Sequence, residues 1–69
     1  MSLMVETEQE EDGRWIAEFP QLPGALCYGS TKQEALDKVT ALALRILADR
    51  IEHGEDIPAP FDKMLHIPA

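Results

Sequence analysis

The sequence is poor in cysteine, and this scarcity limits how so short a chain can be stabilised. Cys27 is the only cysteine among 69 residues, so no disulfide can form within the chain. One cysteine and two separated histidines cannot complete a structural zinc site either. A chain of this length buries only about 60% of the surface that it exposes when unfolded. We therefore expect a reducing, cytoplasmic environment and stabilisation by self-association.

Basic residues are also scarce. Thirteen acidic residues stand against six Lys and Arg residues, which gives a net charge of −7. Affinity for nucleic-acid phosphates comes from Lys and Arg, so we expect no direct binding of nucleic acid. Two interpretations of the acidity remain open: it keeps the protein soluble, or it attracts a basic protein partner.

Long apolar runs are missing too. No run approaches the ~18 residues of a membrane span, and no basic segment precedes an apolar one at the N-terminus. We therefore expect neither a membrane association nor a secretory signal. The length suits one domain, which we place at residues 1–69. The opening Met-Ser-Leu, residues 1–3, is either native sequence or partly a remnant of an expression vector.

Several short stretches have the features of β-strands. Residues 3–10 alternate weakly in polarity, which predicts a half-buried strand. The acidic turn that ends in Gly13 is typical of a hairpin, because glycine accepts positive φ angles. A third strand is predicted at 25–28, and a short final strand at 63–67, giving the order β-β-β-α-β.

The second predicted strand, residues 14–19, defines which face of the sheet is buried. Trp15, Ala17 and Phe19 lie on one side of this strand, and the other side carries Arg14, Ile16 and Glu18. Because Trp and Phe bury large areas, we predict that their side faces the core.

A helix is predicted over residues 32–53. Thr31 and Glu34 match a capping box, in which Thr31 accepts from the backbone N–H of Glu34 and Glu34 reaches back to the N–H of Thr31. Apolar residues recur three and four positions apart through the segment. His53 and Gly54 suit the C-terminal end, since a cation favours the negative end of the helix dipole and glycine favours a left-handed cap.

Leu44 and Ile51 point away from the apolar stripe of this helix when the sequence is projected at about 100° per residue. Two interpretations are open for this pair. Single exposed apolar side chains are ordinary, but a chain that needs additional burial favours a self-association surface. We predict a homo-oligomer that uses Leu44 and Ile51.

No group of residues points to catalysis, a cofactor or a metal. Glu6, Glu8 and Glu10 share one strand, where residues two apart stand roughly 6.5–7 Å from each other. Such side chains diverge, whereas Mg²⁺ needs oxygens converging at about 2.1 Å. Neither histidine has a neighbour that would orient it as a base, and no glycine-rich phosphate loop is present. We therefore expect that the protein is not an enzyme.

The turn, strand and cap features together resemble the HicB family of antitoxins over roughly residues 5–60. The family pattern combines an acidic-Gly turn, an aromatic strand ending in F-P-x-L-P-G, a small strand, and G-x-T-x-x-E-A at the start of a helix. The matching positions are Asp12, Gly13, Trp15, Ala17, Phe19, Pro20, Leu22, Pro23, Gly24, Gly29, Thr31, Glu34 and Ala35.

This resemblance implies an α+β fold, the partial RNase H-like β-β-β-α-β core of HicB proteins. It also implies association as a dimer or tetramer. Its functional implication is neutralisation of HicA, a small basic toxin that cleaves mRNA, by covering the toxin's RNA-binding surface. Many HicB proteins continue into a C-terminal DNA-binding domain, and this sequence stops short of one, so we expect no operator binding.

The acidic N-terminal segment is the predicted contact for a basic partner. The first twelve residues contain no Lys or Arg but five acids, namely Glu6, Glu8, Glu10, Glu11 and Asp12. The alternative function is that of a solitary HicB-like structural or regulatory homo-oligomer without a toxin partner.

Overall fold

Three antiparallel strands form a single sheet in a computed structural model, which describes residues 5–65. The strands β1 (Glu6–Gln9), β2 (Trp15–Glu18) and β3 (Leu26–Gly29) lie side by side in chain order. The strands β1 and β2 are shorter than predicted, and β3 has the predicted length but begins one residue later. Positions 3 and 4 of the first predicted strand lie outside the described residues. With the helix described next, the sheet confirms the α+β class.

The β1–β2 hairpin closes through its acidic turn. Gly13 has a φ of 93°, as the turn prediction requires. The carboxylate of Asp12 accepts hydrogen bonds from the backbone N–H of Arg14, at 3.0 Å, and from its Nε, at 2.8 Å. These contacts hold the pKa of Asp12 below its usual value, chiefly through the Arg14 backbone.

The helix α1 (Lys32–Glu52) agrees with the prediction to within one residue at its C-terminal end. Thr31 Oγ1 accepts from the N–H of Glu34 at 3.0 Å, as the capping box predicts. The reciprocal bond differs, because Glu34 accepts from the N–H of Ser30 instead of that of Thr31. The Ser30 bond and the nearby ammonium of Lys38 lower the pKa of Glu34.

One face of the sheet packs on α1, and the core lies between them. Ala17 and Phe19 are buried, and Trp15 is partly buried against the same cluster, so the predicted facing of β2 is confirmed. The buried residues are Ala17, Phe19, Leu22, Ala25, Ala35, Val39, Ala43, Leu47 and Phe61.

The predicted final strand at 63–67 is wrong within the described residues. A short helix, α2 (Phe61–Met64), occupies this region and is followed by its C-cap residue Leu65, while positions 66 and 67 lie outside the described range. The cause is tertiary packing: Phe61 is buried, and its ring meets that of Phe19 edge-on at a centroid distance of 5.9 Å. The observed order is therefore β-β-β-α-α, and an RNase H-like core stays a prediction.

His53, at the end of α1, provides a pH-dependent stabilisation. Its Nδ1 lies 2.7 Å from the carbonyl oxygen of Asp49 and 3.3 Å from the Asp49 carboxylate. The carbonyl contact first, and the negative charge second, raise the pKa of His53 above 6.5. A group whose pKa is raised in the folded state contributes stability that is fully present below its unfolded pKa. This contribution is lost as the pH rises through the folded pKa.

We therefore expect His53→Gln to lower the melting temperature at about pH 5.5 and to have little effect at about pH 8.5. Thermal unfolding followed by circular dichroism at both pH values measures the difference. An equal loss at the two pH values would show that the charge of His53 contributes nothing.

Candidate protein-binding surface

The sheet has a second face, which points away from α1. Residues paired across antiparallel strands share a face, and the register pairs Glu6 with Glu18, Glu8 with Ile16, and Ile16 with Tyr28. Leu26 joins them as the partner of Glu18 on β3. We call this set the outer sheet face; its members are Glu6, Glu8, Ile16, Glu18, Leu26 and Tyr28.

One half of the outer sheet face is acidic. Glu6 and Glu18 lie directly opposite each other, and together with Glu8 they line a shallow depression beside Ile16. Like charges in this cross-strand position destabilise a sheet. Among the ion pairs formed between residues 5 and 65, none involves these three carboxylates. The three carboxylates are exposed, so that an external cation can reach them.

The other half of the outer sheet face is apolar. Leu26 and Tyr28 on β3 are 39% and 41% exposed, and Ile16 is half-buried beside Tyr28. The guanidinium of Arg14 stands 4.7 Å from the centre of the Tyr28 ring and covers one end of this patch. An aromatic and an aliphatic side chain next to an acidic row form a surface with both anchoring and steering groups.

The structure separates the five predicted partner-binding acids into two groups. Glu6 and Glu8 lie on β1 and contribute to the outer sheet face. Glu10, Glu11 and Asp12 lie at or beside the hairpin turn, where Asp12 is already paired with Arg14. Whether any of the five binds a partner stays a prediction.

Sequence patterns alone do not identify Ile16, Glu18, Leu26 or Tyr28 as candidate binding residues. The signal for Glu18 was present, because it alternates with the inward-facing Ala17 and Phe19 along β2. That Glu18 lies opposite Glu6 follows only from the strand register, which depends on the geometry of the hairpin turn.

The described part of the chain offers no metal-binding alternative to this surface. No three His, Cys, Asp or Glu residues between positions 5 and 65 are grouped so that they could hold a metal ion. Within the same range, neither helix combines the length and apolar character needed to cross a bilayer. The chemistry of the exposed surface is that of ionic and apolar contact.

The two predicted self-association residues are exposed on α1. Leu44 and Ile51 are 58% and 48% exposed, in agreement with their projection away from the apolar stripe. Their role in self-association stays a prediction.

Two known proteins are similar to the chain over most of its length. A UPF0150 protein of Thermoplasma acidophilum is 33% identical over 58 residues, which cover 84% of this chain and 84% of that protein. Antitoxin HicB 1 of Photorhabdus laumondii subsp. laumondii is 33% identical over 60 residues, which cover 87% of this chain but only 39% of the antitoxin. No family model matches the sequence, and no solved structure matches it.

Proposed function

The chain belongs to the HicB-like family that includes the UPF0150 proteins, and we therefore propose that it is an antitoxin-like module that binds a small basic protein. The proposed partner is a HicA-type toxin that cleaves mRNA. Binding covers the RNA-contacting surface of that toxin and so blocks its access to RNA. Such a pair acts in the cytoplasm, where mRNA is the target.

The observation that supports this function is the combination of charge and apolar surface on the outer sheet face. A protein that binds RNA presents Lys and Arg to phosphates. Glu6, Glu8 and Glu18 supply carboxylates on one face that can pair with those Lys and Arg side chains in place of the phosphates. The net charge of −7 extends the same attraction to longer range.

The two halves of the outer sheet face are expected to act on different steps of binding. Exposed charges chiefly speed encounter and reject wrong partners, and salt screens them over about 8–10 Å. Desolvated aromatic and aliphatic anchors hold a complex together. We therefore expect the three glutamates to affect mainly the association rate, and Leu26 and Tyr28 to affect mainly the lifetime of the complex.

The alternative function, a solitary structural or regulatory homo-oligomer, is favoured by the exposed Leu44 and Ile51. It requires no basic partner. A short reading frame for a basic protein directly beside the gene separates the two functions, because the antitoxin-like function needs such a neighbour and the alternative does not.

The antitoxin-like function predicts that Glu6→Lys together with Glu18→Lys slows association with the neighbouring basic protein. We expect about a tenfold lower association rate at low salt, within the range of electrostatic steering, and a smaller difference at high salt. Because the opposed pair remains like-charged, the sheet should keep its stability. Stopped-flow kinetics across ionic strength measures the effect.

The matched control is Glu55→Lys together with Asp56→Lys, which changes the net charge equally at two exposed positions beyond α1. We expect this control to slow association much less. Equal slowing by both variants would contradict the role of the outer sheet face. Failure of the unmodified protein to bind the basic neighbour, or to inhibit its RNA cleavage, would contradict the antitoxin-like function itself.

A further inference from the structure

Four apolar side chains form an exposed line along α1. Ala41, Leu44, Ala48 and Ile51 follow one another at spacings of three, four and three residues, and all four are exposed. This is the a and d spacing of a heptad repeat. At about 100° per residue they occupy a sector some 80° wide, centred about 140° from the buried side of the helix. We call this line the helix stripe.

We propose that the helix stripe binds the helix stripe of a second copy of this chain, with the two helices antiparallel. Small and large side chains alternate along the stripe, and the spacing is symmetric about position 46. In an antiparallel pair Leu44 therefore lies against Ala48 of the partner subunit. Ile51 lies against Ala41 of the partner subunit, and a two-fold axis repeats both contacts.

The antiparallel direction follows from packing. Each large side chain meets an alanine, so that knobs fill the spaces left by the small residues and the helices approach closely. In a parallel pair Leu44 would meet Leu44 and Ala41 would meet Ala41 of the partner subunit. That arrangement would hold the helices apart at the leucines and leave voids at the alanines.

The charges beside the helix stripe favour the same direction. Lys38 and Glu52 lie on one flank of the stripe, and antiparallel pairing brings each near the opposite charge of the other copy, twice per dimer. The antiparallel helix dipoles are also favourably aligned. Arg45 lies between these two residues and meets its own copy near the axis, and the exposed Asp37 lies in line with the stripe one turn before Ala41. Both charges offset part of the gain.

The dimer has a consequence for partner binding, and this step rests on the proposed function. The helix stripe points away from the sheet of its own chain, so pairing gives the layer order sheet, helix, helix, sheet. Both outer sheet faces then remain on the outside. The dimer therefore offers two separate binding surfaces for a small basic protein, and we expect complexes of two chains with two partners.

The first test is the oligomeric state of Leu44→Lys combined with Ile51→Lys, measured by sedimentation over a range of concentrations. We expect the unmodified chain to form a dimer and this variant to remain a monomer of 7.7 kDa. The substitutions change the net charge from −7 to −5 (−7 + 2), so overall repulsion between chains decreases and cannot cause the dissociation.

The matched control is Leu26→Lys with Tyr28→Lys, which makes the same charge change at similarly exposed positions of the outer sheet face. We expect this control to stay dimeric but to lose affinity for the basic partner. If the unmodified chain is a monomer at all concentrations tested, or if the helix variant stays dimeric, the proposal is overturned. Failure of the unmodified, dimeric chain to bind the basic partner would instead contradict the proposed function alone.

The second test fixes the direction and does not depend on a monomeric variant. In a Cys27→Ser background, chains carrying Ala41→Cys are mixed with chains carrying Ile51→Cys and oxidised with glutathione disulfide. We expect a disulfide between unlike chains and at least tenfold less crosslinking in either chain alone. Efficient crosslinking of Ala41→Cys chains to each other would show a parallel pair and overturn the antiparallel arrangement.

Discussion

Phe61→Ala is expected to lower the free energy of unfolding by about 3–5 kcal/mol, the usual cost of truncating a buried phenylalanine. Phe61 is only 2% exposed, and its ring packs edge-on against that of Phe19. It is the one member of the core that α2 supplies. A helix of four residues has no stability of its own, so loss of this side chain should also release α2 from the sheet.

Urea denaturation followed by circular dichroism and Trp15 fluorescence measures this loss. The matched control is Met64→Ala on the same short helix, where the side chain is 48% exposed. We expect the control to change the stability by no more than about 0.5 kcal/mol, as surface substitutions do. Similar losses in the two variants would mean that α2 is not held by Phe61.

Gly29→Ala is expected to cost about 3 kcal/mol or more, because it overpacks a contact between backbones. A Cβ atom at Gly29 would lie 2.5 Å from the backbone nitrogen of Ala35 and 3.0 Å from its Cα. Ala35 is in the first turn of α1, which Thr31 and Glu34 hold through the capping bonds. The helix cannot move away from β3 without breaking these bonds.

Gly54 offers a matched comparison with a different physical cause. It has a φ of 68°, and a Cβ atom there would meet nothing within 4 Å, so Gly54→Ala should cost only about 1 kcal/mol of left-handed strain. Asparagine tolerates that conformation, so Gly54→Asn should be nearly neutral while Gly29→Asn should be at least as damaging as Gly29→Ala. Denaturant midpoints of the four variants test this order, and equal costs at the two glycines would contradict it.

Local signals in the sequence were enough to predict most of the secondary structure. The hairpin needed only an acidic turn ending in Gly13, because few residues accept a positive φ. The start of α1 needed only the capping residues Thr31 and Glu34. The inward face of β2 followed from alternation, because successive side chains on a strand point to opposite faces.

The end of the chain could not be predicted in the same way. A short, partly apolar run such as residues 63–67 fits a strand or a helix equally well. The choice depends on Phe61, which lies outside that run and reaches the core only where the tertiary fold brings Phe19 beside it. Nonlocal contacts of this kind leave no periodic signal in a short segment.

The character of the surface follows from the residue types and their spacing alone: there is an excess of acids, and two apolar residues, Leu44 and Ile51, lie on the far side of the helix. Which residues form one surface depends on the tertiary fold. Strand pairing set Glu18 opposite Glu6 and brought Tyr28 beside Ile16, because register is a relation between strands that no single strand contains. The outer sheet face is therefore a product of pairing, while the helix stripe can be read along one helix, whose geometry repeats every 3.6 residues.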